Sequence, residues 1–117
     1  MTVTIYHNPR CSKSRATLAL LNENGVQPEI VEYLKTPPTK GEMERILDGL
    51  GMEPRDLMRK KEDPYKALNL SDADMSRDAL IDAIVANPIL MERPVVVNQG
   101  RYALGRPPEN VLEILQK

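Results

Sequence analysis

The chain has 117 residues, of which 41% are hydrophobic and 28% are charged, and its formal net charge is −1 at pH 7. These values fit a globular protein and exclude a disordered one, which would have fewer apolar residues and a larger net charge. The small net charge and the absence of Trp and Phe argue against nucleic-acid binding. No apolar run approaches the ~18 residues of a membrane span, and the first residues lack the pattern of a signal peptide. We therefore expect a cytoplasmic protein that contacts no membrane.

The first part of the chain is predicted to form a β-α-β unit. Residues 3–6 are β-branched or aromatic and predict a strand. A helix is predicted from Ser12 to just before Gly25, a residue that suits a helix end. Its apolar residues are spaced by three or four: Ala16, Leu18, Leu20 and Leu21. Residues 29–34 predict the second strand, which completes the unit.

Residues 39–87 are predicted to be a helical insertion within a single domain that spans residues 1–117. Thr39 and Glu42 have the spacing of a capping box. The apolar residues behind them lie on one helical face: Met43, Ile46, Leu47 and Leu50. Prolines divide the following stretch into short helical pieces. Ser76 begins a further helix, whose apolar side is Leu80, Ala83 and Ile84.

The last part of the chain predicts two more strands and a final helix. A strand begins at Pro94, and residues 98–100, Asn-Gln-Gly, indicate a hairpin that returns through residues 101–104. The final helix begins near Pro108. Its predicted apolar stripe is Val111, Leu112 and Leu115. The order β-α-β, helical insertion, β-β-α is typical of an α/β domain of the thioredoxin-like, or glutaredoxin-like, fold.

The chemistry of the sequence is concentrated around Cys11, the single cysteine, which lies four residues after the single histidine, His7. The predicted elements place Cys11 at the start of the first helix, where free amides and the helix dipole favour an anion. A negative charge there is also favoured by the side chains of Arg10, Lys13 and Arg15, and it would be favoured by a protonated His7. Such surroundings lower the pKa of a thiol and produce a nucleophile at neutral pH.

Other interpretations of these residues remain open. A lone cysteine is often a small buried apolar residue, and His7 can be a hydrogen-bonded loop residue. Structural zinc sites take four ligands, and this chain offers only two Cys or His residues, so no metal is expected. A cysteine-histidine hydrolase would need a third group to orient the histidine. Ser14 stands where a Cys-x-x-Cys protein has its second thiol, so an adduct on Cys11 needs an outside thiol. Ser14 can also serve simply as a helix-capping residue.

Three arginines lie beside loops or element ends: Arg59, Arg93 and Arg106. Guanidinium groups bind tetrahedral oxyanions through forked hydrogen bonds. In a thioredoxin-like fold the segment containing Arg93 and Pro94 lies close to the cysteine turn. The three arginines are therefore candidates for an oxyanion site, and the alternative is that each is an ordinary surface residue.

Five stretches in order along the chain, YHNPRCSKSR, YLKTPPT, LMRKK, NPILMERPVVV and GRPPENVLEIL, resemble the glutaredoxin-coupled arsenate reductase (ArsC) family, in its compact branch. The resemblance implies that Cys11 is the catalytic cysteine and that His7 and Ser14 help to keep its thiol ionised. It implies oxyanion binding by Arg15 and by the three arginines named above. Pro94 matches a proline that is cis in such folds.

The resemblance also implies a reaction. Arsenate enters the cationic pocket, the Cys11 thiolate attacks arsenic, glutathione adds as co-substrate, and glutaredoxin reduces the adduct and releases arsenite. No cofactor is bound, and the protein is expected to be a monomer. Arg10 and Lys13 differ from well-characterised members, so another glutathione-dependent oxyanion or thiol oxidoreductase is an alternative. A further alternative is a regulator of the Spx type that binds RNA polymerase, although such proteins typically have Cys-x-x-Cys.

Overall fold

The computed structural model of the protein describes residues 3–92 and 94–115. These residues form two compact units. The first unit comprises the described residues before Pro37 together with those from Pro94 onward, and the second comprises Pro37–Glu92. The prediction of a single domain with an insertion over residues 39–87 stays a prediction.

The first unit contains a four-stranded mixed sheet. Its strands are β1 (Val3–His7), β2 (Glu29–Glu32), β3 (Val95–Asn98) and β4 (Arg101–Leu104), in the order β2-β1-β3-β4. β1 is parallel to β2 and antiparallel to β3, and β4 is antiparallel to β3. The parallel pair is joined by helix α1 (Ser12–Glu23), which is the usual right-handed βαβ arrangement of such connections. The α/β prediction is therefore confirmed, and all four predicted strands are present.

β2 is shorter than predicted because the chain turns after Glu32. The backbone amides of Lys35 and Thr36 both donate to the Glu32 carbonyl oxygen, each at 2.9 Å. The predicted hairpin between β3 and β4 is present. Gln99 and Gly100 have φ values of 52° and 78°, so both central residues are left-handed, as a two-residue type I′ turn requires.

The core of the first unit lies between the sheet, α1 and the final helix. Its buried residues are Val3, Ile5, Leu21, Val96, Val111 and Ile114. On α1 the buried positions are Ser14, Thr17 and Leu21, whereas Ala16 is exposed. The predicted apolar spacing of α1 was thus only partly right, because two polar residues occupy the buried face.

The final helix, Pro108–Leu115, is a 3₁₀ helix. With about three residues per turn, positions i and i+3 lie one above the other, which places Val111 and Ile114 on the buried side. Leu112 and Leu115 are only half-buried. The predicted stripe was wrong in this respect because it assumed 3.6 residues per turn.

The second unit is helical. It contains α2 (Lys40–Leu50), α3 (Asp63–Ala67) and α4 (Arg77–Ala86), with 3₁₀ helices at Pro54–Leu57 and Pro88–Leu90.

α2 and α4 begin at the capping residues that the sequence indicates. Thr39 Oγ1 accepts a hydrogen bond from the Glu42 amide at 3.2 Å, and Glu42 Oε1 accepts one from the Thr39 amide at 2.9 Å. Ser76 Oγ accepts a hydrogen bond from the Ala79 amide at 3.1 Å and caps α4. No helix within the described residues is both long enough and apolar enough to cross a membrane.

Candidate active site

Cys11 is the N-cap residue of α1, with extended backbone angles (φ −93°, ψ 124°) and a partly exposed side chain. Its amide donates to the Asn8 carbonyl at 3.0 Å, and its carbonyl accepts from the Arg15 amide at 3.0 Å. The first turn of α1 contains no acidic residue. The positive end of the helix dipole at Cys11 is therefore not offset by a carboxylate on its own first turn.

A buried hydrogen-bonded pair, His7 and Ser14, supports the turn that carries Cys11. His7 Nδ1 lies 2.6 Å from Ser14 Oγ, and the Asn8 amide donates to the same oxygen at 3.0 Å. Ser14 is fully buried and His7 is 6% exposed. Ser14 thus ties the end of β1 to the first turn of α1, which fixes the conformation of the loop between them. This role differs from N-capping of the helix, because Ser14 lies inside α1.

The environment of His7 favours its neutral form. Burial lowers the pKa of the His7 imidazole, and Arg15 lowers it further, while Glu32 acts in the opposite direction. A protonated His7, one of the expectations from the sequence, does not fit this environment at neutral pH. The cationic side chains next to Cys11 in the sequence are Arg10, Lys13 and Arg15.

Arg15 is held against the loop that precedes Cys11. Its Nη1 donates to the Pro9 carbonyl at 2.9 Å. The Arg10 amide donates to Asn8 Oδ1 at 3.0 Å, which stabilises the same turn. A guanidinium has five N–H donors, so the bond to Pro9 leaves most of those of Arg15 for other partners.

Arg106 follows a glycine that packs tightly against α1. A Cβ at Gly105 would lie 2.6 Å from Thr17 Oγ1 and 2.7 Å from Pro94 Cγ, so only glycine fits without a shift. The Gly105 amide donates to the Pro94 carbonyl at 2.8 Å, and Thr17 Oγ1 donates to the Lys13 carbonyl at 2.8 Å.

These contacts fix the start of the Arg106 loop against the helix that begins at Cys11. Sequence reasoning did not single out Gly105, Thr17 or Asn8 as site residues. The one sequence signal that could have indicated Gly105 is its position directly before Arg-Pro-Pro. The Arg106–Pro107 peptide bond is cis.

Two of the predicted site features involve Arg93, which lies outside the described residues. The position of its guanidinium and the isomer of the Arg93–Pro94 bond both stay predictions. Pro94 itself is buried and lies next to Gly105.

Arg59 belongs to the second unit, where it contacts two carboxylates. Its Nε lies 3.3 Å from Glu62 Oε2, and its Nη1 lies 3.9 Å from Glu92 Oε2. Its side chain is 26% exposed. Any oxyanion that binds Arg59 has to compete with these acidic neighbours.

No metal cluster supports an alternative chemistry in the described chain. Within residues 3–92 and 94–115, no group of three or more His, Cys, Asp or Glu side chains could hold a metal ion.

Comparison with known proteins places these features in a family. Residues 6–114 match the sequence model of the ArsC family. The chain is 60% identical over 114 residues to the uncharacterised protein YfgD of Escherichia coli K12, covering 97% of this chain and 96% of that one. It is 49% identical over 116 residues to an arsenate reductase of Haemophilus influenzae, covering 98% and 100% of the two chains.

A solved structure supports the same assignment. The fold matches an arsenate reductase from Vibrio cholerae with a TM-score of 0.94 and 53% identity, over 97% of this chain and 98% of that one. The thioredoxin-like fold expected from the sequence is therefore confirmed. This chain, with its single thiol at the start of α1, belongs to the ArsC family.

Proposed function

We propose that the protein is an arsenate reductase in which Cys11 is the nucleophile and glutathione and glutaredoxin are the external thiols. The observation that carries the proposal is the position of the single cysteine of this ArsC-family chain, at the N-cap of a helix whose first turn has no acidic residue. Relatives that match nearly the whole chain are named arsenate reductases, which supports the choice of substrate.

The proposed reaction begins with attack by the Cys11 thiolate on arsenic. A sulfur–arsenic bond forms, and one arsenate oxygen leaves as water. Reduction of As(V) to As(III) then takes two electrons from two thiols: H₂AsO₄⁻ + 2 RSH → H₂AsO₃⁻ + RSSR + H₂O. Because the chain has one cysteine, the second thiol has to come from another molecule. We assign that thiol to glutathione, which adds to the arsenic of the Cys11 adduct with loss of a second water. A glutaredoxin thiol then attacks the glutathione sulfur, so the RSSR of the equation is the glutathione–glutaredoxin disulfide and two electrons pass to arsenic. Water then cleaves the bond between Cys11 and As(III), which releases arsenite and regenerates the Cys11 thiolate.

The proposed roles of the other residues follow from their chemistry. Arg15 and Arg106, with Arg59 and Arg93, would bind the arsenate oxygens through charge-assisted hydrogen bonds. His7 and Ser14 would act as positioning residues, since their hydrogen bonds shape the turn at Cys11. Pro94 would support the Gly105 turn that leads to Arg106. A monomeric state, a cytoplasmic location and the absence of a bound cofactor stay predictions.

A coupled assay tests the proposal. Arsenate-dependent NADPH oxidation is measured with glutathione, glutaredoxin and glutathione reductase present, for the wild type, Cys11→Ser and Arg106→Gln. We expect no turnover for Cys11→Ser and a raised KM for arsenate in Arg106→Gln. Arg101→Gln is the matched control, because Arg101 is exposed on β4. Full activity of Cys11→Ser would refute the mechanism, and an inactive wild type would refute arsenate as the substrate.

A further inference from the structure

A cavity of about 420 Å³ opens beside the cysteine turn, within the first unit. One wall consists of residues 7–10, which lead directly into Cys11. The other wall consists of Glu32, Leu34 and Lys35, at and just beyond the end of β2. β1 and β2 are parallel, and His7 is paired with Glu32 at their carboxyl ends. The two walls therefore lie at the same end of these neighbouring strands. The volume is within the range of small-molecule sites in proteins.

The cavity walls carry two cationic groups and one carboxylate. Lys35 Nζ lies 3.6 Å from Glu32 Oε1, with the two side chains 78% and 41% exposed. An ion pair this exposed is weak, so both groups are available to a ligand at little cost. Arg10 is exposed, and its guanidinium forms no ion pair with any residue in the described parts of the chain.

The remaining surface of the cavity is largely apolar. Leu34 is one of the large apolar residues with substantial exposure, at 40%. Pro9 also lines the cavity and is exposed. These groups can pack against the body of a small ligand, while the charged groups bind its ends.

We propose that this cavity binds the glutathione molecule that supplies the second thiol. This inference rests on the proposed function. Glutathione has two carboxylates, one ammonium group and a central thiol, and these charges complement Arg10, Lys35 and Glu32.

The reach of the ligand fits the location of the cavity. A three-unit peptide spans at most about 10 Å when extended, and consecutive Cα atoms lie about 3.8 Å apart. A glutathione carboxylate bound by Arg10 therefore keeps its thiol within the neighbourhood of Cys11.

The test does not use arsenate. The single cysteine is first converted to a mixed disulfide with 5-thio-2-nitrobenzoate (TNB). Glutathione thiolate then attacks the Cys11 sulfur, forms Cys11–S–S–glutathione and releases the coloured TNB thiolate. The rate constant of this exchange is compared for glutathione, for neutral 2-mercaptoethanol and for 3-mercaptopropionate, an anionic thiol too short to span the cavity.

We expect Arg10→Gln and Lys35→Gln each to lower the glutathione rate about threefold, and the double variant about tenfold, as expected for exposed charge pairs. Each glutathione rate is divided by the rate of the same variant with 2-mercaptoethanol, which cancels any general change in reactivity at Cys11 that the lost charge causes. Arg101→Gln, which removes one charge from β4 at the opposite edge of the sheet, should leave the glutathione rate unchanged. Salt at about 0.5 M should weaken the preference for glutathione in the wild type.

Two results would overturn the cavity assignment. One is a glutathione rate that both substitutions leave unchanged. The other is an equal fall in the rate constant for 3-mercaptopropionate, which would show that the substitutions weaken only a general attraction of anionic thiols. Selective exchange with glutathione in a protein that does not reduce arsenate would uphold the cavity and refute the proposed function. Arsenate reduction by a protein without selective exchange would uphold the proposed function and refute the cavity assignment.

Discussion

The substitution Gly105→Ala tests whether the turn before Arg106 is fixed by its packing against α1. The added Cβ would lie 2.6 Å from Thr17 Oγ1, 3.1 Å from Thr17 Cγ2 and 2.7 Å from Pro94 Cγ. Carbon atoms in ordinary contact are about 3.5–4.0 Å apart, so the neighbours have to give way by almost 1 Å. Neither neighbour moves easily, because Thr17 is β-branched and buried and Pro94 is a buried ring.

The expected cost is that of inserting one carbon into a packed core, about 1–3 kcal/mol of unfolding free energy. For a chain of this length that corresponds to a fall in melting temperature of roughly 4–12 °C. The shift should also displace Arg106, which follows directly in the chain, and so raise the KM for arsenate in the coupled assay. Thr17→Ala in the same chain should restore part of the stability, since it removes two of the three close contacts.

Gly41→Ala is the matched control, because it makes the same chemical change inside α2. The nearest atom to its added Cβ is Arg45 Nη1 at 3.7 Å, an ordinary contact. Alanine should stabilise this helical site by about 0.5–1 kcal/mol. Urea unfolding and thermal melts measure both variants. The packing argument fails if Gly105→Ala unfolds like the wild type and retains its KM for arsenate.

Three further predictions concern other contacts. Ser14→Ala should lower the unfolding free energy by about 1–3 kcal/mol in urea titrations, because the Asn8 amide loses its buried acceptor; an unchanged midpoint would contradict this role. His7 has a pKa below its ordinary value of 6.5, so the unfolded chain binds more protons than the folded one in mildly acidic solution. The contribution of His7 to the free energy of unfolding should therefore be fully present above pH 6.5. It should be lost as the pH falls through the folded-state pKa, by at most about 1.4 kcal/mol per pH unit. His7→Gln should remove this part of the pH dependence of stability. Thr39→Ala should cost about 1 kcal/mol by removing the α2 cap, and an unaltered melt in Thr39→Ala would exclude that contribution.

The features that could be predicted from the sequence are those set by neighbouring residues. The capping box at Thr39 and the hairpin at residues 98–100 each depend on a few consecutive side chains and appear where they were expected. The position of Cys11 at the start of α1 is of the same kind. Local signals therefore located both the capped helices and the position of the single cysteine.

The features that could not be predicted depend on contacts distant in sequence. Thr17 lies on the buried face of α1 because it packs against Gly105, 88 residues further along the chain. The lowered pKa of His7 results mainly from burial, which the polar sequence around it does not reveal. The acidic neighbours of Arg59 include Glu92, which only the folded second unit brings close.

The burial of Ser14 has a consequence for how this protein can evolve. Ser14→Cys would give the chain a Cys-x-x-Cys pair, in which the second thiol could replace an outside thiol in resolving an adduct on Cys11. A thiol is a poor hydrogen-bond partner, however, and at this position it would leave the Asn8 amide and the His7 ring without a good one. The substitution that would place a second thiol beside Cys11 therefore weakens the turn that carries Cys11. A stable protein with Ser14→Cys should therefore need compensating changes at His7 or Asn8.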